Sequence, residues 1–252
     1  MQIQANQKAA FVGKRYTIDT FPEDPEGETH EVALLQLSED GFQLEGEVYG
    51  VHYPADTRGS YQIKDGFLNL DADGDAPDMQ LEIGSNGPEH FWPGRDIDIK
   101  GLPQWDKQQI TFHRVPDPQS FQGELSQHER NLLGHHEFES PRMGSFSMHL
   151  NEDRSGTIQG ELKGKDISWN GRWLSTHPMS YFVMEGTDQF LAWHNNHDHG
   201  NHDNPNPDPI KEIKDMPVDV IVTTTGENSD IRKVYGMVMN PTGGDHDHHH
   251  HS

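Results

Sequence analysis

Along most of this chain, apolar and polar residues alternate in short runs. That is the period of a half-buried strand, whose successive side chains point to opposite faces. In the stretch FQLEGEV, Phe42, Leu44 and Val48 share one face, and Gln43, Glu45 and Glu47 share the other. The same pattern predicts strands at Val32–Leu37, Tyr61–Leu70, Met79–Ile83, Gln109–Val115, Ser145–Leu150, Thr157–Leu162, Tyr181–Glu185, Phe190–Trp193, Val218–Thr224 and Ile231–Met239. Clusters of Gly, Asp, Asn and Pro, the residues that turns require, separate them. Helical spacing is confined to Asp117–Leu133, through Phe121, Leu125 and Leu132, and Gly123 weakens it. The expected fold is all-β: two tandem antiparallel β-barrels, or barrel-like sandwiches, with little helix.

The number two comes from a repeat. LSEDGFQLEGEVYG (Leu37–Gly50) returns as LNEDRSGTIQGELKG (Leu150–Gly164). Each reads as a strand, an acidic turn, and a strand carrying Gly-Glu before an aliphatic residue. FVGKRY (Phe11–Tyr16) likewise matches LLGHHEF (Leu132–Phe138), with Gly13 against Gly134. We expect one domain over residues 1–118, a second over 119–242, and a His-rich tail over 243–252. The tail looks like a purification tag and is set aside.

Part of the chain resembles a known family. MGSFSMHLNEDRSGTIQGEL (Met143–Leu162) has glycine spacing similar to the first hairpin of the avidin-type up-and-down barrels, relatives of the lipocalins. FLAWHNN (Phe190–Asn196) resembles their Trp-bearing middle strand, and VIVTTTGENSDIRKVYGMVM (Val220–Met239) their last hairpin. WDKQQITFHRV (Trp105–Val115) resembles the closing strand. The resemblance implies a lipocalin/avidin-like barrel with Ser145 and Trp193 at ligand-contact positions. It does not extend to a biotin site. Leu162 stands where the family has tyrosine, Ile221 and Ile231 where it has tryptophan, and Val238 where it has aspartate. Each lost partner costs roughly 1–3 kcal/mol. Independently, about eight strands close around either packed side chains or one small ligand.

Charge narrows the partners. Acidic residues outnumber basic ones by 42 to 19, a formal net charge of −23. Such a surface repels phosphate backbones and anionic lipid, so we expect neither nucleic acid nor membrane as a partner. No apolar run reaches the roughly 20 residues of a spanning helix. The N-terminus shows no apolar signal region, which predicts a cytoplasmic protein. Without cysteine, thiolate chemistry and disulfides are excluded. The sequence leaves the oligomeric state open.

Binding of an apolar or aromatic small molecule is the leading function, with Ser145, Trp169, Trp173, Tyr181 and Trp193 as candidate contacts. A rival is a cofactor-independent cyclase, isomerase or hydratase using His135, Glu137, His149 and His177 as acid and base inside a barrel. If the stretch is extended, His135 and Glu137 share one face, and His136 and Phe138 the other. A third reading is metal-dependent. His194, His197, His199 and His202 could hold zinc, unless they belong to a hydrated loop or a lid. Asp71, Asp73, Asp75 and Glu82 have the spacing of a calcium loop. Ala76 stands where such a loop needs glycine, and an acidic β-turn explains these residues as well. No cofactor is certain, and no nucleophile elbow, phosphate loop or dinucleotide fingerprint appears.

Overall fold

The computed structural model describes residues 2–20, 29–30, 32–83, 91–95, 97–101, 110–140, 144–162, 164–176, 179–187, 189–194, 216–224 and 230–241. The protein is nearly all-β: among the described residues strands dominate, and the helices are short. Among the described residues no helix is long and apolar enough to cross a membrane. The chain divides into two compact units. One is built mainly from Met1–Glu26 and His30–Asp117, the other mainly from Pro118–Asn228 and Lys233–Ser252.

The first unit opens with helix α1 (Gln2–Phe11). It continues through β1 (Arg15–Thr20), β3 (Val32–Leu37), β4 (Phe42–Val48), β6 (Arg58–Lys64), β7 (Phe67–Ala72) and β8 (Met79–Glu82) to β9 (Phe91–Arg95), β10 (Ile97–Ile99) and β11 (Ile110–Val115). The two-residue β2 (Thr29–His30) stands at the end of the strand order of the other, nine-stranded sheet, and β5 (Val51–Tyr53) flanks β4. Each strand of the path pairs antiparallel with the next, in the order β10-β8-β7-β6-β4-β3-β1-β11-β9. Only residue 96 separates β9 from β10. The run 91–99 therefore pairs with β11 at its start and with β8 at its end, returning the path to its beginning.

Alternation along β4 dictates its facing. Phe42, Leu44 and Val48 are buried, while Gln43 and Glu47 are exposed. Gly46, opposite Ala33, has φ +125°, and a Cβ there would lie 2.7 Å from Ala33 Cα, so only glycine fits. Apolar side chains fill the interior, among them Phe11, Tyr16, Ile18, Leu35, Leu68 and Leu81. Tyr53 and Tyr61 also sit there, and both phenols are satisfied: they donate to Pro77 O at 3.2 Å and Ser38 O at 2.7 Å. Lys8 of α1 lies over the Tyr61 ring, 4.6 Å from its centroid.

The second unit repeats this path. A 3-10 turn (Pro118–Ser120) and the short helix α2 (Gln127–Arg130) lead into β12 (Gly134–Ser140), β13 (Gly144–Leu150), β14 (Ser155–Leu162) and β15 (Lys165–Ser175). These are followed by β16 (Met179–Met184), β17 (Phe190–His194), β18 (Met216–Thr224) and β19 (Asp230–Pro241). Each pairs with its successor, and β19 pairs back onto β12, closing a ring of eight strands. Gly160 stands opposite Phe146 as Gly46 stands opposite Ala33: its φ is +151°, and a Cβ would lie 2.5 Å from Phe146 Cα. Both units also share an entrance. A helical segment delivers a buried apolar residue (Phe11, Leu132), then a glycine of positive φ (Gly13, Gly134), then the first strand.

Two expectations are corrected. Asp117–Leu133 is not one helix, because Gly123 takes φ +88° and breaks it; Phe121, Leu125 and Leu132 are buried along an irregular path instead. Tyr61–Leu70 is not one strand but the hairpin of β6 and β7, turned by Asp65 and Gly66 at φ +55° and +80°. Helix α1 and strand β15 were not legible from periodicity.

Candidate ligand-binding interior of the second barrel

Inward-facing residues of the second ring form an aromatic cluster: Phe138, Phe146, Trp169, Trp173, Phe182 and Trp193. Phe138 stacks on Phe146 at 4.6 Å between centroids, and its ring meets Trp193 edge-on at 6.0 Å. Alternation explains the set. Trp169 and Trp173 on β15 are in phase, Phe182 pairs with Trp173, and Leu191 and Trp193 follow on β17.

Polar groups enter this interior at the α2 end. His136 lies two residues before Phe138 on the same face of β12 and is 2% exposed. Its Nε2 is 2.6 Å from Leu132 O. A carbonyl only accepts, so Nε2 carries the hydrogen and Nδ1 remains a bare acceptor. Burial holds the imidazole below its ordinary pKa. The Leu132 hydrogen bond opposes that shift, and the neighbouring His135 and His149 reinforce it. His136 is therefore a neutral base. Neither His136 Nδ1 nor Trp193 Nε1 has a hydrogen-bond partner among the described residues. Trp173 differs: its Nε1 donates to Asn151 O at 2.9 Å.

A second polar feature closes the same end. Ser126 caps α2 by accepting from Glu129 N at 3.1 Å, and Glu129 Oε1 accepts from Ser126 N at 3.0 Å. Glu129 also holds Arg154 in a two-pronged ion pair, with Nη1 to Oε2 at 2.5 Å and Nη2 to Oε1 at 3.1 Å. Ser175 N donates to Oε2 at 3.1 Å. Both side chains are 4% exposed. Arg154 further donates to Gly123 O and Glu124 O, so its burial is compensated and it fastens segment 123–129 to the β13–β14 turn. Burial would raise the Glu129 pKa, but the Arg154, Ser126 and Ser175 donors outweigh it and hold the carboxyl below its ordinary range. Beside this pair, His128 Nε2 lies 2.9 Å from Ser175 Oγ, which lies 2.8 Å from the buried Ser180 Oγ.

The expected site residues separate into groups. Trp169, Trp173 and Trp193 are inside. Ser145 is exposed, because it alternates with the inward Phe146. Tyr181 is buried but alternates with the inward Phe182, so it faces out of the ring, beside Phe190. The structure does bring His135, Glu137 and His149 together. His135 Nε2 lies 2.6 Å from Glu137 Oε1, and the rings of the cross-strand pair His135 and His149 are 6.2 Å apart. They stand on the outer wall, however, with His135 and Glu137 37% and 35% exposed, not inside the barrel. The interior imidazole is the adjacent His136. The signal for it was Phe138: the larger apolar residue two positions on marks which of the two histidines turns inward.

The calcium-type ligands do not converge. Asp71, Asp73 and Asp75 are exposed, Asp78 Oδ1 accepts from Ala72 N to fix the turn, and Glu82 lies at the far end of β8 opposite Phe67. Among the described residues no group of three or more His, Asp or Glu is arranged to hold a metal ion. His194 ends β17, while His177, His197, His199 and His202 lie outside the described residues.

No family model and no curated protein matches the sequence. Among solved structures, a protein of unknown function from the DUF3598 family of Nostoc punctiforme is similar at 10% identity. The match covers 96% of this chain and 100% of that one, with a TM-score of 0.27, a likeness too slight to decide anything.

Proposed function

We propose that the second barrel binds an apolar or aromatic small molecule in its interior. The observation that carries this reading is the pair of buried polar atoms, His136 Nδ1 and Trp193 Nε1, left unanswered inside an aromatic wall. A buried donor or acceptor without a partner costs roughly 1–3 kcal/mol. Small-molecule sites have this make-up: mostly apolar lining with a few placed polar groups. A bound molecule that answers both atoms would recover that cost. Trp169, Trp173 and Trp193 would form the walls, and the segment fastened by Arg154 and Glu129 would close one end.

Native mass spectrometry of protein lacking residues 245–252 tests this reading. We expect a non-covalent adduct that denaturation releases, or an interior that accepts 6-acetyl-2-naphthol with quenching of tryptophan fluorescence. An adduct-free protein whose fluorescence is unmoved by that probe would overturn it.

A further inference from the structure

Resting on that reading, we infer that the ligand is neutral and carries both a hydrogen-bond donor and a hydrogen-bond acceptor on a flat apolar body, the donor meeting His136 Nδ1 and the acceptor meeting Trp193 Nε1. The argument starts from which atoms carry hydrogen. An indole nitrogen can only donate. His136 Nε2 gives its hydrogen to Leu132 O, so Nδ1 can only accept. The interior thus offers one donor and one acceptor, and a ligand must present the complement.

This requirement excludes the two common charged classes. A carboxylate has acceptors only; it would answer Trp193 and set its lone pairs against that of His136. It would also need a cation. Arg154, the buried cation among the described residues, already directs Nε, Nη1 and Nη2 to Gly123 O, Glu129 and Glu124 O. An ammonium has donors only and leaves the Trp193 N–H unanswered. Neutral hydroxy-ketones, hydroxy-aldehydes and hydroxylated aromatic amides satisfy both.

Phe138 is the next inward residue on the strand after His136, about 6.6 Å along it. The Phe138 ring lies 6.0 Å from that of Trp193. We place the donor and the acceptor on separate groups of a body of one or two fused rings. The aromatic wall suits a flat ring system, since its faces pack by stacking and edge contacts.

The test is a matched ligand series titrated calorimetrically into the unaltered protein at pH 8. 6-Acetyl-2-naphthol carries both groups. Its methyl ether lacks the donor, 6-ethyl-2-naphthol lacks the ketone acceptor, and 6-hydroxy-2-naphthoate replaces the ketone with a charge. We expect the parent to bind at least about tenfold more tightly than each of the other three, one such loss of a buried partner corresponding to about 1.4 kcal/mol. In His136→Phe the methyl ether should come within about twofold of the parent, and in Trp193→Phe 6-ethyl-2-naphthol should do so. Equal binding of all four compounds would overturn the ligand class while leaving the binding reading intact. Failure of all four to bind adduct-free protein would overturn both.

Discussion

The two barrels follow the same path yet treat interior polar atoms differently. In the first, the Tyr53 and Tyr61 phenols find the backbone carbonyls of Pro77 and Ser38, and apolar side chains occupy the rest. In the second, His136 Nδ1 and Trp193 Nε1 face an aromatic interior with no partner among the described residues. Thr17 Oγ1, another buried atom in that condition, alternates with the inward Tyr16 and Ile18 and so points out of the first ring. The entrances differ as well. The first unit is closed by α1, with Phe11 in the core and Lys8 over Tyr61. The second is closed by an ion pair whose arginine sits in a turn at φ +70°. One backbone plan thus carries satisfied phenols in the core of one unit and two unanswered polar atoms in the aromatic core of the other. Fold supplies the wall, and single side chains decide whether anything is held there.

The largest expected effects test whether the two copies are equivalent. Gly46→Val and Gly160→Val should each cost more than about 4 kcal/mol and melt the unit that carries the change, since each side chain would meet the facing strand's backbone. Differential scanning calorimetry reads this as loss of one transition, and a valine accepted in one unit alone would break the equivalence. Next, Arg154→Met should destabilise only the second unit, by about 3–5 kcal/mol, because it strands the Glu129 carboxylate. Adding Glu129→Leu should restore most of that stability in urea titrations followed by tryptophan fluorescence.

Acid should separate the units further. His136 stays neutral in the fold, whereas the unfolded imidazole takes a proton near its ordinary 6.5. The stability of the second unit should therefore fall as pH drops below about 6.5, until the folded value is passed. Glu129 adds a lower window. Its contribution is complete above its ordinary 4.5 and is lost as pH falls through its depressed folded value. His136→Phe should flatten the upper part of the slope, and an unchanged slope would place the acid sensitivity elsewhere. Ser175→Ala, which removes the hydroxyl between His128 and Ser180, should cost about 1–2 kcal/mol in the second unit alone. The smallest effect belongs to the first: Lys8→Met should cost about 0.5–1 kcal/mol by removing the charge above Tyr61.

Much of the architecture was legible because alternation is a local signal. The facing of Phe42, Leu44 and Val48 follows from period two alone, and the paired glycines Gly46 and Gly160 lie within the repeat that marks two copies. The site was less legible. Ser145 and Tyr181 were one residue out of phase with the inward Phe146 and Phe182, and a shift of one exchanges the wall's two sides. The same parity turns His135 and Glu137 outward and His136 inward. The Arg154–Glu129 pair spans 25 residues and depends on closure of the turn onto α2, which no spacing rule encodes. Helix α1 has no amphipathic period to read.

The most direct test is the indole N–H resonance of Trp193, followed by nuclear magnetic resonance while 6-acetyl-2-naphthol is added. The account predicts that the Trp193 signal moves downfield with saturation, while that of Trp173, already bound to Asn151 O, holds its place. A Trp193 signal that stays put, or shifts confined to residues of the first barrel, would contradict it.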